Sequence, residues 1–141
     1  MRSLLDVNVL IALLDAEHVH HDAAREWMRE NIRHGWATCP ITQNGCLRVM
    51  AQPGYPHRIP PSLVAERLRE ATSTSHHRFW PDSVSLLDAN TVDWSRIIGP
   101  RQITDIYLLA LAVAHGGRFV TFDARIAPEM VPGGKESLCL V

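Results

Sequence analysis

Short apolar runs alternate with longer segments of helical apolar spacing along this chain of 141 residues. The pattern begins with a buried strand over Ser3–Leu5, and helical spacing over Val7–Leu14 follows at once. The clearest helix covers residues 104–115, where two glycines end it, and a strand over residues 118–122 comes directly after. Strands that alternate with helices in this way are typical of an α/β fold with a parallel sheet.

The remaining predicted elements are short and are separated by proline, glycine and polar residues. Apolar spacing predicts further helices over residues 20–28, 42–50, 60–73 and 92–98, and further strands over residues 36–39, 84–87 and 138–141. Residues 73–77 are polar and are predicted as a loop. We therefore expect a central, mostly parallel sheet of four to five strands with helices on both faces. One domain should cover residues 1–141, because a chain of this length supports one hydrophobic core and not two.

The composition of the chain restricts the classes of partner and the cellular compartment that we expect for it. The formal net charge of -1 excludes a broadly basic protein, so contact with a nucleic acid would need a local patch. Three widely spaced cysteines fit neither a disulfide framework nor a zinc knuckle, which is typical of a reducing cytosol. Polar residues interrupt the first apolar run, and no stretch is long enough to span a membrane. We expect a soluble, cytoplasmic protein without a membrane partner.

Three aspartates stand where apolar runs end or where a helix begins. Asp6 follows the first strand, Asp123 follows the strand at residues 118–122, and Asp105 opens the helix at residues 104–115. In an open parallel sheet, carboxyl strand ends and the helix starts after them converge on one crevice. Carboxylates gathered there repel one another unless a cation lies between them, and oxygen-only ligands select a hard ion such as Mg²⁺ or Mn²⁺. The hypothesis that follows is a metal-dependent phosphodiesterase.

Each of these acids also has an ordinary structural explanation. Asp6 or Asp105 alone could be a helix-capping or first-turn residue, and only the combination of three favours a shared site. The histidines at residues 18–21 and 76–77 lack metalloprotease or zinc-finger spacing and are interpreted as structural or surface residues. The acids without a matching context are interpreted as solvated or capping residues: Asp15, Glu17, Asp22, Asp82, Asp88 and Asp93.

The segments around the three aspartates resemble a known family. LLDVNVLIA around Asp6, TD leading into LLALA around Asp105, and VTFD ending at Asp123 are similar to the signature segments of PIN domains. The middle segment TQNGCLRVM at residues 42–50 resembles the same family, so the likeness spans nearly the whole chain. It is strongest to VapC-type toxins, the ribonuclease halves of bacterial toxin–antitoxin pairs.

This resemblance implies a PIN-like domain and Mg²⁺- or Mn²⁺-dependent endonucleolytic cleavage of RNA. By motif, the catalytic and metal-binding positions are Asp6, Asp105 and Asp123. The family usually places a glutamate in the segment where this chain has Gln43 and Asn44, and the sequence does not fix which amide takes its place. An amide supplies no negative charge, so we expect weaker metal affinity or a weaker second ion.

Neighbouring polar residues are assigned supporting roles. Asn8 and Thr121 are predicted to orient the metal-binding carboxylates. Arg48, Arg101 and Arg125 lie close in sequence to the crevice segments and are candidate contacts to RNA phosphates. Solvent exposure or ion pairing is the ordinary alternative for these arginines.

A VapC-like chain implies an RNA substrate, a cognate VapB-like antitoxin whose tail enters the acidic groove, and a homodimer. The candidate dimer faces lie around residues 61–71 and the early helices. One alternative is a PIN-like domain that has lost its activity. Another is a small Mg²⁺-binding α/β regulatory module, such as a phospho-receiver domain. The receiver pattern is disfavoured because it needs paired acids after the first strand and a late lysine near the site. Here Val7 follows Asp6, and Lys135 lies beyond two glycines.

Overall fold

The computed structural model describes residues 1–96 and 99–141. Strands and helices alternate through most of the chain, as the apolar pattern predicts. The elements in chain order are β1 (Ser3–Leu5), α1 (Val7–Leu14), α2 (His21–Asn31), β2 (Trp36–Thr38), α3 (Pro40–Ala51), α4 (Pro61–Thr72), β3 (His77–Phe79), α5 (Ile103–Ala114), β4 (Arg118–Thr121), α6 (Gly134–Ser137) and β5 (Leu138–Leu140).

The five strands form one sheet in the order β3-β2-β1-β4-β5, and every neighbouring pair is parallel. In the centre of this sheet, Leu4 is in register with Ala37 on one side and with Phe119 on the other. All three residues are fully buried, as expected for a parallel sheet that helices cover on both faces. The prediction of a mostly parallel sheet with four to five strands is therefore confirmed.

Alternate residues of the central strands belong to two hydrophobic clusters on opposite faces of the sheet. Leu4 and Phe119 pack with the buried residues of α5. Leu5 and Val120 pack with α1, α3 and α4. Because successive side chains of a strand point to opposite faces, each face needs its own layer of helices. The layer of α1 to α4 and the layer of α5 and α6 supply this cover and leave the carboxyl edge of the sheet for the site.

The chain between α4 and α5 differs from the prediction. β3 begins at His77, where the pattern predicts a loop, and residues 84–87 are irregular although the pattern predicts a strand. His77 is a polar residue in an inward, buried position. The ring can be buried because its Nε2 forms a 2.8 Å hydrogen bond with the hydroxyl of Thr38. Val84 and Leu86 pack against the core from irregular backbone, which gives their segment a strand-like alternation.

The predicted helix over residues 92–98 is also absent from the part of the segment that the structure describes. Residues 92–93 are irregular, residues 94–96 form a turn and a bend, and residues 97–98 lie outside the described residues. A short 3-10 turn at Pro100–Gln102 then leads into α5.

The helices are short, and α5 is buried in the domain core through residues 106–112. α5 has 12 residues, and a helix needs about 20 to cross the hydrocarbon layer of a bilayer. Across residues 1–96 and 99–141, no helix has the length and apolar character of a membrane span.

Candidate active site

Asp6 lies at the junction of β1 and α1, on the carboxyl edge of the sheet. One of its carboxylate oxygens accepts a 2.7 Å hydrogen bond from the backbone N–H of Val7, which makes Asp6 the N-cap of α1. The other oxygen accepts a 2.6 Å hydrogen bond from the hydroxyl of Thr121. Burial raises the pKa of Asp6, and these two hydrogen bonds partly oppose the rise. The capping role is therefore real, but it uses only one of the two oxygens.

Thr121 and Asn8 fix the orientation of this carboxylate. The Thr121 hydroxyl donates to Asp6 and accepts two hydrogen bonds, from the side-chain amide of Asn8 at 3.2 Å and from the backbone N–H of Asp123 at 3.0 Å. A hydroxyl offers one donor and two acceptor positions, so all three are used. The arrangement ties the start of α1 to the end of β4.

Asp105 lies in the first turn of α5. A groove of about 590 Å³ contains both aspartates, and we call it the acidic groove; its other polar lining residues include Asn44, Arg48 and Asp82. Burial, followed by repulsion from Asp6 and Asp123, raises the pKa of Asp105 from 3.8 to about 6. The aspartates are therefore close enough to repel one another, and a cation among them would relieve this repulsion.

Asp123 is turned toward Arg125. The guanidinium donates from Nε to Oδ1 and from Nη2 to Oδ2, each at 3.0 Å, and the backbone N–H of Arg125 also donates to Oδ1. These hydrogen bonds lower the pKa of Asp123. A second groove contains Asp105, Asp123, Arg125 and Arg101, and we call it the arginine groove. Asp105 lines both grooves, so they adjoin each other.

The three aspartates do not form a ready-made metal site. In the part of the chain that the structure describes, no group of three or more His, Cys, Asp or Glu side chains is arranged to hold an ion. Asp6 and Asp105 share the acidic groove, whereas Arg125 holds Asp123 in an ion pair. Mg²⁺ is commonly bound by one or two carboxylates together with waters and substrate phosphates. Asp6 and Asp105 together supply that number of carboxylates to the acidic groove.

The structure distinguishes the two amides that the sequence left open. Gln43 donates from Nε2 to the hydroxyl of Thr38 at 3.0 Å, so its side chain is engaged by the sheet. Asn44 lines the acidic groove, and Arg48 lines it one helical turn later on α3. Asn44 is therefore the amide that faces the aspartates.

Asp82 is a groove residue that sequence interpretation missed. It lines the acidic groove with Asp6 and Asp105, although the sequence pattern gave it only a solvated or capping role. Asp82 follows the end of β3 by three residues, so it obeys the same rule as Asp6 and Asp123, which also follow parallel strands. The sequence does not show that Asp82 follows a strand, because the apolar pattern predicts the strand at residues 84–87, after Asp82.

Sequence comparisons give two independent matches to one family. The family model described as "PIN domain" matches residues 3–128. Ribonuclease VapC44 of Mycobacterium tuberculosis is 56% identical over 133 residues, which make up 94% of this chain and 94% of the relative. Ribonuclease VapC39 of the same organism is 42% identical over 139 residues, which make up 98% of this chain and 100% of the relative.

A solved structure shares the architecture. It is a chain from the crystal structure of VapBC2 from Rickettsia felis bound to a DNA fragment from their promoter. The match has a TM-score of 0.63 and covers 100% of this chain and 98% of the other. Sequence identity is only 13%, so the likeness concerns the fold alone.

Proposed function

This chain belongs to the PIN domain family, and on that premise we propose that it is a divalent-metal-dependent endoribonuclease, the toxin of a VapBC-type toxin–antitoxin pair. The reaction is hydrolysis of an RNA phosphodiester bond. The relatives named Ribonuclease VapC44 and Ribonuclease VapC39 match this chain over nearly their whole length, which supports the nuclease activity. The structural observation that carries the proposal is that Asp6 and Asp105 meet in one groove at the carboxyl edge of the sheet.

The chemistry of the acidic groove favours Mg²⁺ or Mn²⁺ as the cofactor. Asp6 and Asp105 offer only oxygen ligands, and burial raises the pKa of both carboxyls, which a bound cation would offset. These two residues would hold the ion directly. Asp123 would join them, directly or through water, once it leaves Arg125. When bound, a divalent cation lowers the pKa of an attacking water and stabilises the charge that develops on the phosphate oxygens.

The groups of the protein itself supply position and electrostatic stabilisation. Thr121 and Asn8 keep the Asp6 carboxylate in one orientation through the hydrogen bonds at the end of β4. Arg48 lines the acidic groove and Arg101 lines the arginine groove, and each guanidinium would bind a phosphate oxygen pair of the RNA backbone. Because Asp105 lines both grooves, an RNA strand that passes Asp105 would have a guanidinium available in each groove.

The direct test is cleavage of RNA by the purified protein with Mg²⁺, Mn²⁺ or EDTA, on structured and unstructured RNAs. We expect cleavage with either ion and none in EDTA. Asp6→Asn and Asp105→Asn should each reduce cleavage by about 100-fold or more, because each removes a ligand charge. The circular-dichroism spectra of both variants should match that of the parent protein.

Three results would contradict parts of this proposal. Undiminished cleavage by Asp6→Asn would remove that residue from the mechanism, and cleavage in EDTA would exclude a metal requirement. Failure of the parent protein to cleave RNA at any ion concentration would instead support the alternative, a PIN-like domain whose site has decayed.

The proposed biological setting includes two protein partners. A toxin of this kind would act on RNA in the cytoplasm and would be held inactive by a VapB-like antitoxin encoded beside it. We also propose a homodimer formed through the helix layer that contains α1, α2 and α4. An apolar pocket between these helices is lined by Leu13, Leu14, Met28, Leu68 and Ala71. Light scattering on the purified toxin, compared with Ala71→Arg, tests the dimer, and a monomeric parent protein would exclude it.

A further inference from the structure

We propose that Arg125 exchanges between two partners. It pairs with Asp123 when no divalent ion is present, and it binds an RNA backbone phosphate when an ion takes Asp123. The inference rests on the proposed function, because it concerns the same site and names how RNA and metal binding are coupled there.

The first step is that Arg125 and a bound ion would compete for the negative charge of Asp123. Arg125 engages both carboxylate oxygens of Asp123 through two N–H groups, each at 3.0 Å. Asp123 already lies in one groove with Asp105, so an ion bound there would meet a carboxylate whose charge Arg125 partly neutralises. Among residues 1–96 and 99–141, no cluster of three carboxylates is arranged to hold an ion.

The second step is that a divalent ion would displace Arg125 from Asp123. The Arg125 side chain is 85% exposed and the Asp123 side chain 23% exposed. Water screens the charge of so exposed a guanidinium, so the ion pair contributes little. Asp105, in contrast, is half-buried and repelled by both Asp6 and Asp123. A doubly charged ion would be attracted to all three carboxylates at once, whereas Arg125 offers Asp123 a single charge.

The third step concerns where the released guanidinium goes. Arg125 follows Asp123 by only two residues, so its head group stays beside the arginine groove after release. That groove also contains Arg101, and two guanidinium groups there suit the oxygens of a phosphodiester backbone. Ion binding would therefore create a phosphate site that is blocked in the ion-free protein. By thermodynamic linkage, RNA and the ion must then strengthen each other's binding by the same factor.

The chain contains a matched pair that serves as a control. Arg29 binds Glu26 on the surface of α2 through Nη2 at 2.5 Å and Nε at 3.3 Å, so it also uses two N–H groups. Both side chains are exposed, at 71% and 59%. Neither residue lines the acidic or the arginine groove. Arg29→Ala therefore removes the same charge and the same type of pair without touching the site.

The first measurement is Mn²⁺ affinity without RNA, from the electron paramagnetic resonance signal of the free ion. Arg125→Ala should bind Mn²⁺ about two- to fivefold more tightly than the parent protein, because the competitor for Asp123 is gone. Arg29→Ala should bind it unchanged. Arg101→Ala removes a positive charge from the same groove but leaves the Asp123 pair intact, so its gain should be smaller than that of Arg125→Ala.

The second measurement is the affinity for a fluorescein-labelled single-stranded RNA, in EDTA and in saturating Ca²⁺, with the RNA checked on a gel after each titration. In EDTA, Arg125→Ala should bind RNA only slightly more weakly than the parent protein, since Arg125 is already occupied by Asp123 and the variant adds only the repulsion of the unpaired Asp123 carboxylate. In Ca²⁺, the variant should bind about 3- to 10-fold more weakly, with a shallower salt dependence. Arg125 would thus have opposite effects on ion and RNA binding.

Two outcomes would overturn the inference while leaving the proposed function intact. One is an unchanged Mn²⁺ affinity of Arg125→Ala, which would show that Arg125 does not compete for Asp123. The other is an equal loss of RNA affinity with and without Ca²⁺, which would make Arg125 an ordinary phosphate contact. Failure of the proposed function is a different result, in which the parent protein cleaves no RNA with Mg²⁺ or Mn²⁺.

Discussion

The hydroxyl of Thr121 is the residue-scale feature on which the orientation of Asp6 depends. Thr121 is fully buried, and its hydroxyl forms hydrogen bonds with Asp6, Asn8 and the backbone N–H of Asp123 at the same time. Thr121→Val keeps the shape but removes the donor and both acceptor positions. We expect a loss of about 1–3 kcal/mol in the free energy of unfolding, because buried partners are left without a hydrogen bond. RNA cleavage should fall about 10- to 100-fold, as for other residues that orient metal ligands.

Urea unfolding and initial cleavage rates measure these two effects of the Thr121 substitution. Thr121→Ser is the control, because it restores the hydroxyl and should recover most of the cleavage. If Thr121→Val cleaved RNA as fast as Thr121→Ser, the hydroxyl would have no part in positioning Asp6.

A second residue-scale prediction concerns the missing carboxylate of the acidic groove. Asn44 lines this groove and Gln43 does not, since Gln43 donates to Thr38 instead. Asn44→Glu should therefore raise Mn²⁺ affinity about 3- to 10-fold, because it adds a negative charge beside the ion. Gln43→Glu adds the same charge one residue away and should give no such gain. Equal effects of the two substitutions on Mn²⁺ affinity would show that side-chain direction does not matter here.

At the scale of residues, some side chains of the candidate site can be predicted from the sequence and others cannot. Asp6, Asp105 and Asp123 can be recognised because each stands at a strand end or helix start, where the topology of a parallel sheet gathers residues. The pairing of Asp123 with Arg125 cannot be read from the pattern, because a side chain two residues away has several possible partners. Asp82 cannot be recognised as a groove residue from the sequence, because that requires β3 to be predicted at its correct position.

At the scale of elements, the close contact between α1 and α3 positions Asp6 beside the acidic groove. Gly45 of α3 lies so close to Val7 that a Cβ atom added to Gly45 would stand 2.6 Å from Val7 Cγ2. Val7 is the first residue of α1 and directly follows Asp6. Gly45→Ala should therefore force the two helices apart and destabilise the protein by about 1–3 kcal/mol. It should also lower RNA cleavage, because the shift of Val7 moves the Asp6 carboxylate.

Thermal unfolding and cleavage assays test the Gly45 prediction. Gly54→Ala is a suitable control, since a Cβ atom there meets nothing within 4 Å. The double variant Gly45→Ala with Val7→Ala should recover part of the lost stability, because it removes the methyl group that clashes. A Gly45→Ala protein as stable and active as Gly54→Ala would contradict the proposed role of this contact.

Helices and strands could be predicted from the sequence where their own apolar pattern determines them. β1 and α1 match the apolar pattern to the residue, and α5 differs by one position at each end. β3 could not be predicted, because its residues are polar or exposed and its place at the sheet edge depends on partners far away in sequence. Its pairing with β2 and the hydrogen bond between His77 and Thr38 are such tertiary contacts. Tertiary contacts thus override local propensity where the chain is least apolar.

At the scale of the whole molecule, the acidic groove makes the ion-free fold less stable at neutral pH. The pKa of Asp105 is about 6 in the folded protein and 3.8 without its environment. The folded state therefore binds the Asp105 proton more tightly than the unfolded state does. The contribution of Asp105 to stability is highest at low pH and is lost as the pH rises from about 4 to 6. Asp123 and Asp15 have lowered pKa values, so their contributions change with pH in the opposite direction.

Comparison with Asp105→Asn isolates this effect from the other titrating groups. The unfolding free energies of the two proteins should be similar near pH 4. At pH 7 the variant should be more stable by about 1–2 kcal/mol, a value reduced from the full pKa shift because Asp105 is only partly buried. Chemical denaturation in EDTA across this pH range measures the difference.

Saturating Mg²⁺ at pH 7 should then raise the stability of the parent protein and leave Asp105→Asn nearly unchanged. The ion offsets the repulsion that Asp105 experiences, and it binds the native state only. This stabilisation should weaken as the pH falls below about 6, because the proton and the ion compete for the same carboxylate. Equal stabilisation of both proteins by Mg²⁺ would place the ion elsewhere on the molecule. The raised pKa of Asp105 would then reflect burial and repulsion alone, without a role in metal binding.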